Sequence, residues 1–153
     1  MKIGETVSGI GFYLSEQVQS HDVFDYLLKK CGRADTMVIS SFAITEAYVR
    51  RIIRNRNLID KLNLFLDFTI ASRNPRITLY AARNVDRLFL ANNHSKFIYI
   101  AGSGMEYLAI MSNNATNNHR YESGIILSDP VFITEFLAQI ENMKNDCVLF
   151  DGK

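Results

Sequence analysis

The chain has 153 residues, 48% of them hydrophobic and 22% charged, with a formal net charge of +1. That length holds one domain able to bury a real core, and the balance excludes a disordered or low-complexity polypeptide. With only two prolines and no Gly/Ser-rich stretch or internal repeat, residues 1–153 are expected to form a single α/β domain without a linker.

The N-terminal stretch is weakly apolar and broken by Ser8, Ser15 and Glu16, which is not the apolar region of a signal peptide. No apolar run is long enough to span a bilayer. The expected setting is therefore cytoplasmic, with no membrane partner. Residues 17 to 30 carry Val18, Val23, Phe24, Tyr26, Leu27 and Leu28 at spacings of three and four, which predicts an amphipathic helix ending near Gly32. Cys31 and Cys147 lie far apart, outside any C-x-x-C pattern. Buried free thiols are expected rather than a disulfide or a metal site.

Met37 to Phe42 reads as a buried strand, and Thr45 as the cap of a second helix reaching about Arg56. Leu62 to Phe68 is another buried strand. Pro75 suits the first turn of a short helix to Arg83, followed by a strand over Asp86 to Leu90. A strand is predicted from His94 to Ile100, a turn at Gly102–Gly104 and a hairpin partner from Met105 to Ser112. After a polar, Asn-rich loop, Tyr121 to Leu127 reads as a strand, and Pro130 opens a terminal helix to about Met143. This order predicts a mixed β-sheet covered by helices.

The near-neutral net charge hides an uneven distribution. Residues 50 to 87 hold nine Lys/Arg against three acids, an excess of six positive charges. A local field of that sign attracts polyanions. Arg50, Arg51, Arg54, Arg73 and Arg76 are the candidate nucleic-acid contacts, and Tyr80, Tyr99, Tyr107 and Tyr121 the candidate base-stacking rings.

One set of residues carries chemistry. His94 and Lys96 are two apart and would leave the same face of a strand. Ser112 and Asn114 follow the next strand, and Glu122 opens the one after. If the strands pair in that order, one sheet end gathers an imidazole, an ammonium, a hydroxyl, a carboxamide and a carboxylate.

This order, His-x-Lys, then Ser-x-Asn, then an acid, resembles the signature of the phospholipase D superfamily, over residues 94 to 124. The chain is about the size of one repeat of that family. In the family the pattern runs His-x-Lys-x4-Asp and then Gly-Ser-x-Asn; here Ala101 stands at the Asp position and Met111 at the Gly position. The resemblance implies a phospholipase D-like single repeat, with a mixed sheet flanked by helices on both faces. It also implies metal-independent phosphodiester cleavage with no cofactor. His94 would be the nucleophile through a phosphohistidine, Lys96, Asn114 and Ser112 would bind phosphate oxygens, and Glu122 would orient the imidazole. Family enzymes use two motif copies, so the single copy here implies a homodimer joined through the active-site face. The arginine-rich middle points to a nuclease, with DNA ahead of RNA as substrate. The two departures motivate a second reading, a catalytically inactive nucleic-acid-binding or assembly module on the same fold.

Overall fold

A computed structural model describes residues 3–6 and 8–151. The elements in chain order are β1 (Gly4–Glu5), β2 (Gly11–Ser15), α1 (Ser20–Cys31), β3 (Ala34–Ser40), α2 (Glu46–Arg54), a 3-10 turn (Arg56–Leu58) and β4 (Ile59–Asp67). They continue with α3 (Phe68–Arg73), α4 (Pro75–Asn84), β5 (Arg87–Ala91), β6 (Phe97–Gly102), β7 (Met105–Met111), β8 (Glu122–Leu127), α5 (Pro130–Lys144) and β9 (Val148–Phe150).

The described strands form one sheet in the order β1-β2-β8-β7-β6-β3-β4-β5-β9. β3, β4 and β5 run parallel, joined by helical crossovers, and every other neighbouring pair is antiparallel. Helices cover both faces. On one side Val23, Phe24 and Leu27 of α1, Val49 and Ile52 of α2 and Ala81 of α4 pack on Met37, Ile39, Leu62, Leu64, Ile98 and Ile100. On the other, Ile133 and Ile140 of α5 close over Val38, Phe65, Phe89, Phe97, Tyr99 and Leu108. Both faces of β3 and β4 are thus buried, which explains why these strands read as continuous apolar runs rather than alternations.

The helix starts follow local chemistry. Thr45 accepts from the Tyr48 amide at 3.3 Å, Asn74 from Ile77 at 3.2 Å ahead of Pro75, and Asp129 from Val131 at 2.9 Å ahead of Pro130. Each side-chain oxygen satisfies an amide that the first helical turn leaves orphaned. At the β6–β7 hairpin, Ser103 and Gly104 take φ of 55° and 76°. Two positive φ values in a two-residue connection match the right-handed twist of the strands.

Several boundaries move relative to the sequence reading. The strand expected from His94 begins at Phe97, so His94 and Lys96 precede it in the connection from β5. A side-chain-capped turn centred on His94, described below, holds that stretch off the ladder. Residues 11 to 15 form a strand paired with β8, and α3 and β9 also lie outside the predicted elements; at six and three residues they are too short to show a period. Cys31 is buried but Cys147 only partly so. No helix among the described residues is long and apolar enough to cross a membrane.

Gly124 marks a close approach across the β2–β8 ladder. A Cβ there would lie 2.6 Å from the Tyr13 ring, and that ring reaches past it to donate its hydroxyl to Asn113. Gly124→Ala is expected to displace Tyr13 and cost about 1–3 kcal/mol, read as a lower urea midpoint with an unchanged m-value.

Candidate active site at the carboxyl end of the sheet

The register brings many strand ends to one edge. Ser15 pairs with Glu122, Ser40 with Phe97, Asp67 with Ala91 and Met111 with Gly124. The carboxyl ends of the parallel strands therefore share a rim with the start of β6, the end of β7 and the start of β8. Open α/β sheets place their ligands at this rim.

His94 stands on this rim, exposed, on a buried support. Asn93 is 5% exposed, and its Oδ1 accepts from the Ser95 amide at 3.0 Å and from the Ser95 hydroxyl at 2.5 Å. An Asx-turn of this kind spans i to i+2 and makes His94 its central residue. The Asn93 Nδ2 donates to Ser40 Oγ at 2.9 Å, and its amide donates to Asp67 Oδ1 at 2.8 Å. The imidazole packs against Phe42, with ring centroids 5.1 Å apart.

Lys96 folds back on its neighbour. Its Nζ lies 3.0 Å from His94 Nδ1 and donates to the His94 carbonyl at 2.9 Å. The Met111 amide donates to the Lys96 carbonyl at 3.1 Å, which extends the β6–β7 pairing as far as the site. Burial lowers the affinity of Lys96 for its proton, and the negative Glu122 opposes this in part, leaving it below the usual lysine range.

Ser112 donates its hydroxyl to Glu122 and accepts from the Ser123 amide at 2.9 Å. The Asn114 Oδ1 accepts from the Phe42 amide at 3.2 Å, so the amide NH2 is the end of that carboxamide left to donate. Two neighbours fix the loop. Asn113 donates to the Val18 carbonyl at 2.9 Å, and the Ala115 amide donates to Ser41 Oγ at 2.8 Å.

The five predicted site residues thus gather at one sheet end as two pairs, His94–Lys96 and Ser112–Glu122, with Asn114 joined to the first through Phe42. Glu122 accepts from Ser112, whereas the sequence reading assigned it to the far ring nitrogen of His94. The two motif departures lie away from the reacting groups. Ala101 sits at the opposite end of β6, paired with Thr36 and packed on the α5 face. The Met111 side chain points into the α1–α2 core.

The candidate nucleic-acid arginines divide. α2 runs antiparallel to β3, so Arg54, its last residue, lies towards the far end of the sheet. Arg50 is paired with Glu46 at 2.7 Å and Arg51 with Asp25. Arg73 and Arg76 lie at the corner between α3 and α4, at the same sheet end as the site. Arg76 lines an open cavity of about 450 Å³ with Glu46, Asn74, Ile77 and Tyr80. Among the candidate stacking rings, Tyr99 is buried under α5 with its hydroxyl on Glu106 at 2.9 Å. Tyr121, beside Glu122, is 69% exposed.

Sequence reasoning missed Asp67, Asn93, Ser40, Ser41 and Ser95, the polar residues beneath His94. Each lies in or beside a predicted strand, but nothing in the sequence marks them as meeting one another. The described residues contain no cluster of His, Cys, Asp and Glu suited to hold a metal ion.

No protein-family model and no curated protein sequence matches the chain. Solved structures do. A phospholipase D family member, Nuc from Salmonella typhimurium, superposes with a TM-score of 0.74 at 13% identity, over 93% of this chain and 97% of that one. The chain has the phospholipase D fold. NucT from Helicobacter pylori is similar at a TM-score of 0.71 and 17% identity, over 92% and 98% of the two chains. TrmBL2, an archaeal chromatin protein whose structure shows a mode of DNA binding, is similar at 0.64 and 12% identity, over 94% of this chain and 54% of that one.

Within this phospholipase D fold, Asp67 bears a charge beneath the site. Burial raises its proton affinity, but the Thr69 hydroxyl, the Thr69 and Asn93 amides and the nearby His94 outweigh that and hold it below the usual range. A folded value below the unfolded one contributes stability above the unfolded value, near pH 4, and loses it as pH falls through the folded value. Urea unfolding at pH 6 and pH 3 is expected to show a smaller acid loss in Asp67→Asn than in wild type.

Proposed function

We propose that this chain is a phosphodiesterase of the phospholipase D type that cleaves nucleic acid, DNA ahead of RNA, without a metal or other cofactor. The observation that carries the reading is His94, exposed on a rigid buried turn, with the Lys96 ammonium 3.0 Å from its ring nitrogen. A phosphodiester resists attack because its phosphorus is shielded by negative oxygens. Catalysis needs a nucleophile, cationic or N–H donors for those oxygens and a proton for the departing oxygen.

The residues divide these tasks. Lys96 leaves the imidazole for a nonbridging oxygen when substrate enters, and the Asn114 NH2 and the Ser112 hydroxyl add donors. The freed His94 attacks phosphorus and the ester oxygen leaves with a proton, giving a phosphohistidine that water hydrolyses. Glu122, holding Ser112 and facing Lys96, aligns the donors.

The proton on the leaving oxygen comes from a second His94. That copy acts as the imidazolium, protonated on both ring nitrogens, and becomes neutral as it gives one proton to the leaving oxygen. The attacking copy is instead neutral with a free ring nitrogen, so two chains related by a two-fold axis supply both roles in one cleft. The second copy, once neutral, takes back a proton from the water that hydrolyses the phosphohistidine. Arg73 and Arg76 extend the phosphate path from that cleft, and Tyr121 offers a ring to an unpaired base. This reading accords with the fold shared with Nuc and NucT.

TrmBL2 favours a second reading, in which the same fold binds DNA without cutting it. Purified protein incubated with DNA and with RNA in EDTA separates the two. Cleavage is expected in wild type, with a loss of roughly 10³-fold or more in His94→Ala and an acid-labile phosphorylated histidine after quenching. Salt-sensitive binding with no cleavage would establish the binding module instead. Sedimentation equilibrium is expected to give twice the chain mass; a monomer that cleaves at full rate would remove the second His94 from the mechanism.

A further inference from the structure

We propose that Asp67 is the positioning residue for His94, anchoring the turn that presents the imidazole. The proposal rests on the phosphodiesterase reading of His94.

Asp67 closes β4 and is 7% exposed. Its two oxygens have separate tasks. Oδ2 accepts from the Thr69 amide at 3.0 Å and the Thr69 hydroxyl at 2.6 Å, starting α3. Oδ1 accepts from the Asn93 amide at 2.8 Å. The residue before His94 is therefore tied to Asp67, and the residue after it to the Asn93 side chain at 3.0 Å. Both flanks of the imidazole are held from beneath, and the carboxylate is part of the anchor.

Other carboxylates are placed elsewhere. Glu122 is engaged by Ser112, and Ala101 fills the motif's acidic position at the opposite end of β6.

Imidazole NMR resonances of the full chain at one fixed pH test this independently of turnover. The chain has three histidines, and His94 is assigned by the resonance missing in His94→Ala. Asp67→Asn is expected to shift and broaden the His94 ring resonances as the turn loosens, with cleavage falling about tenfold through kcat rather than KM. Thr69→Ala, which removes one donor to Asp67 but leaves the Asn93 bond, is expected to lower stability and leave the His94 resonances in place. Asp67→Glu displaces the carboxylate by one methylene and serves where Asp67→Asn does not fold. It is expected to lower cleavage about tenfold through kcat rather than KM.

Unmoved His94 resonances in Asp67→Asn, with wild type still cleaving, would overturn the role of Asp67 and leave the phosphodiesterase standing. Shifted resonances in a protein that cleaves nothing would support the positioning role and overturn the enzyme. Unchanged cleavage by Asp67→Glu would count against the anchor.

Discussion

The site depends on one buried carboxamide. The Asn93 side chain touches Ser40 at the end of β3 and Ser95 ahead of β6, and its main-chain amide Asp67 at the end of β4, so three strand termini meet on one residue. Each such bond contributes only about 1 kcal/mol, but a buried partner left alone costs about 1–3 kcal/mol. That asymmetry makes the arrangement nearly all-or-none. Once Asn93 is seated, the backbone of His94 has little freedom, and its ring is further restrained by Phe42 on one side and Lys96 on the other. An exposed loop residue is thereby held on both flanks by buried partners.

This dependence explains what could and could not be read from the sequence. The apolar runs of β3 and β4, the cap at Thr45, the helix-opening Pro75 and Pro130, and the hairpin at Gly102–Gly104 are local features, and the strands and helices they predict are present. His94, Lys96, Ser112, Asn114 and Glu122 stood out through the order of a known motif, and the register explains why they share one rim. Asn93 and Asp67 were hidden because their role is non-local. Nothing in the spacing of residues 40, 67 and 93 shows that β3, β4 and β5 end side by side. The start of the β6 strand was misplaced for the same reason, since the Asx-turn that delays it draws its partners from other strands.

The basic middle of the chain also changes meaning in three dimensions. Its excess of positive charge looked like one patch along the sequence, but the helical crossovers carry successive residues away from the rim and back again. Arg56, bonded to Asp86 at 2.6 Å, clamps the amino-terminal end of the sheet, while Arg50 and Arg51 are spent on acids of α2 and α1. Surface pairs of this kind contribute little to stability, but they remove charge from the field available to a polyanion. The part of that excess left at the rim comes from fewer residues, Arg73 and Arg76 at the corner between α3 and α4.

The resting contact between Lys96 and His94 bears on how one sequence can serve two roles. An ammonium 3.0 Å from Nδ1 occupies the lone pair of a neutral ring. On the proposed reading, a phosphate that draws Lys96 onto its own oxygen frees that lone pair with no movement of the backbone. Two such chains about a two-fold axis would divide the work by protonation, a neutral ring attacking and an imidazolium giving up its proton. Ser112 and Glu122 suit this division, because they fix donors beside the phosphate without competing for the imidazole.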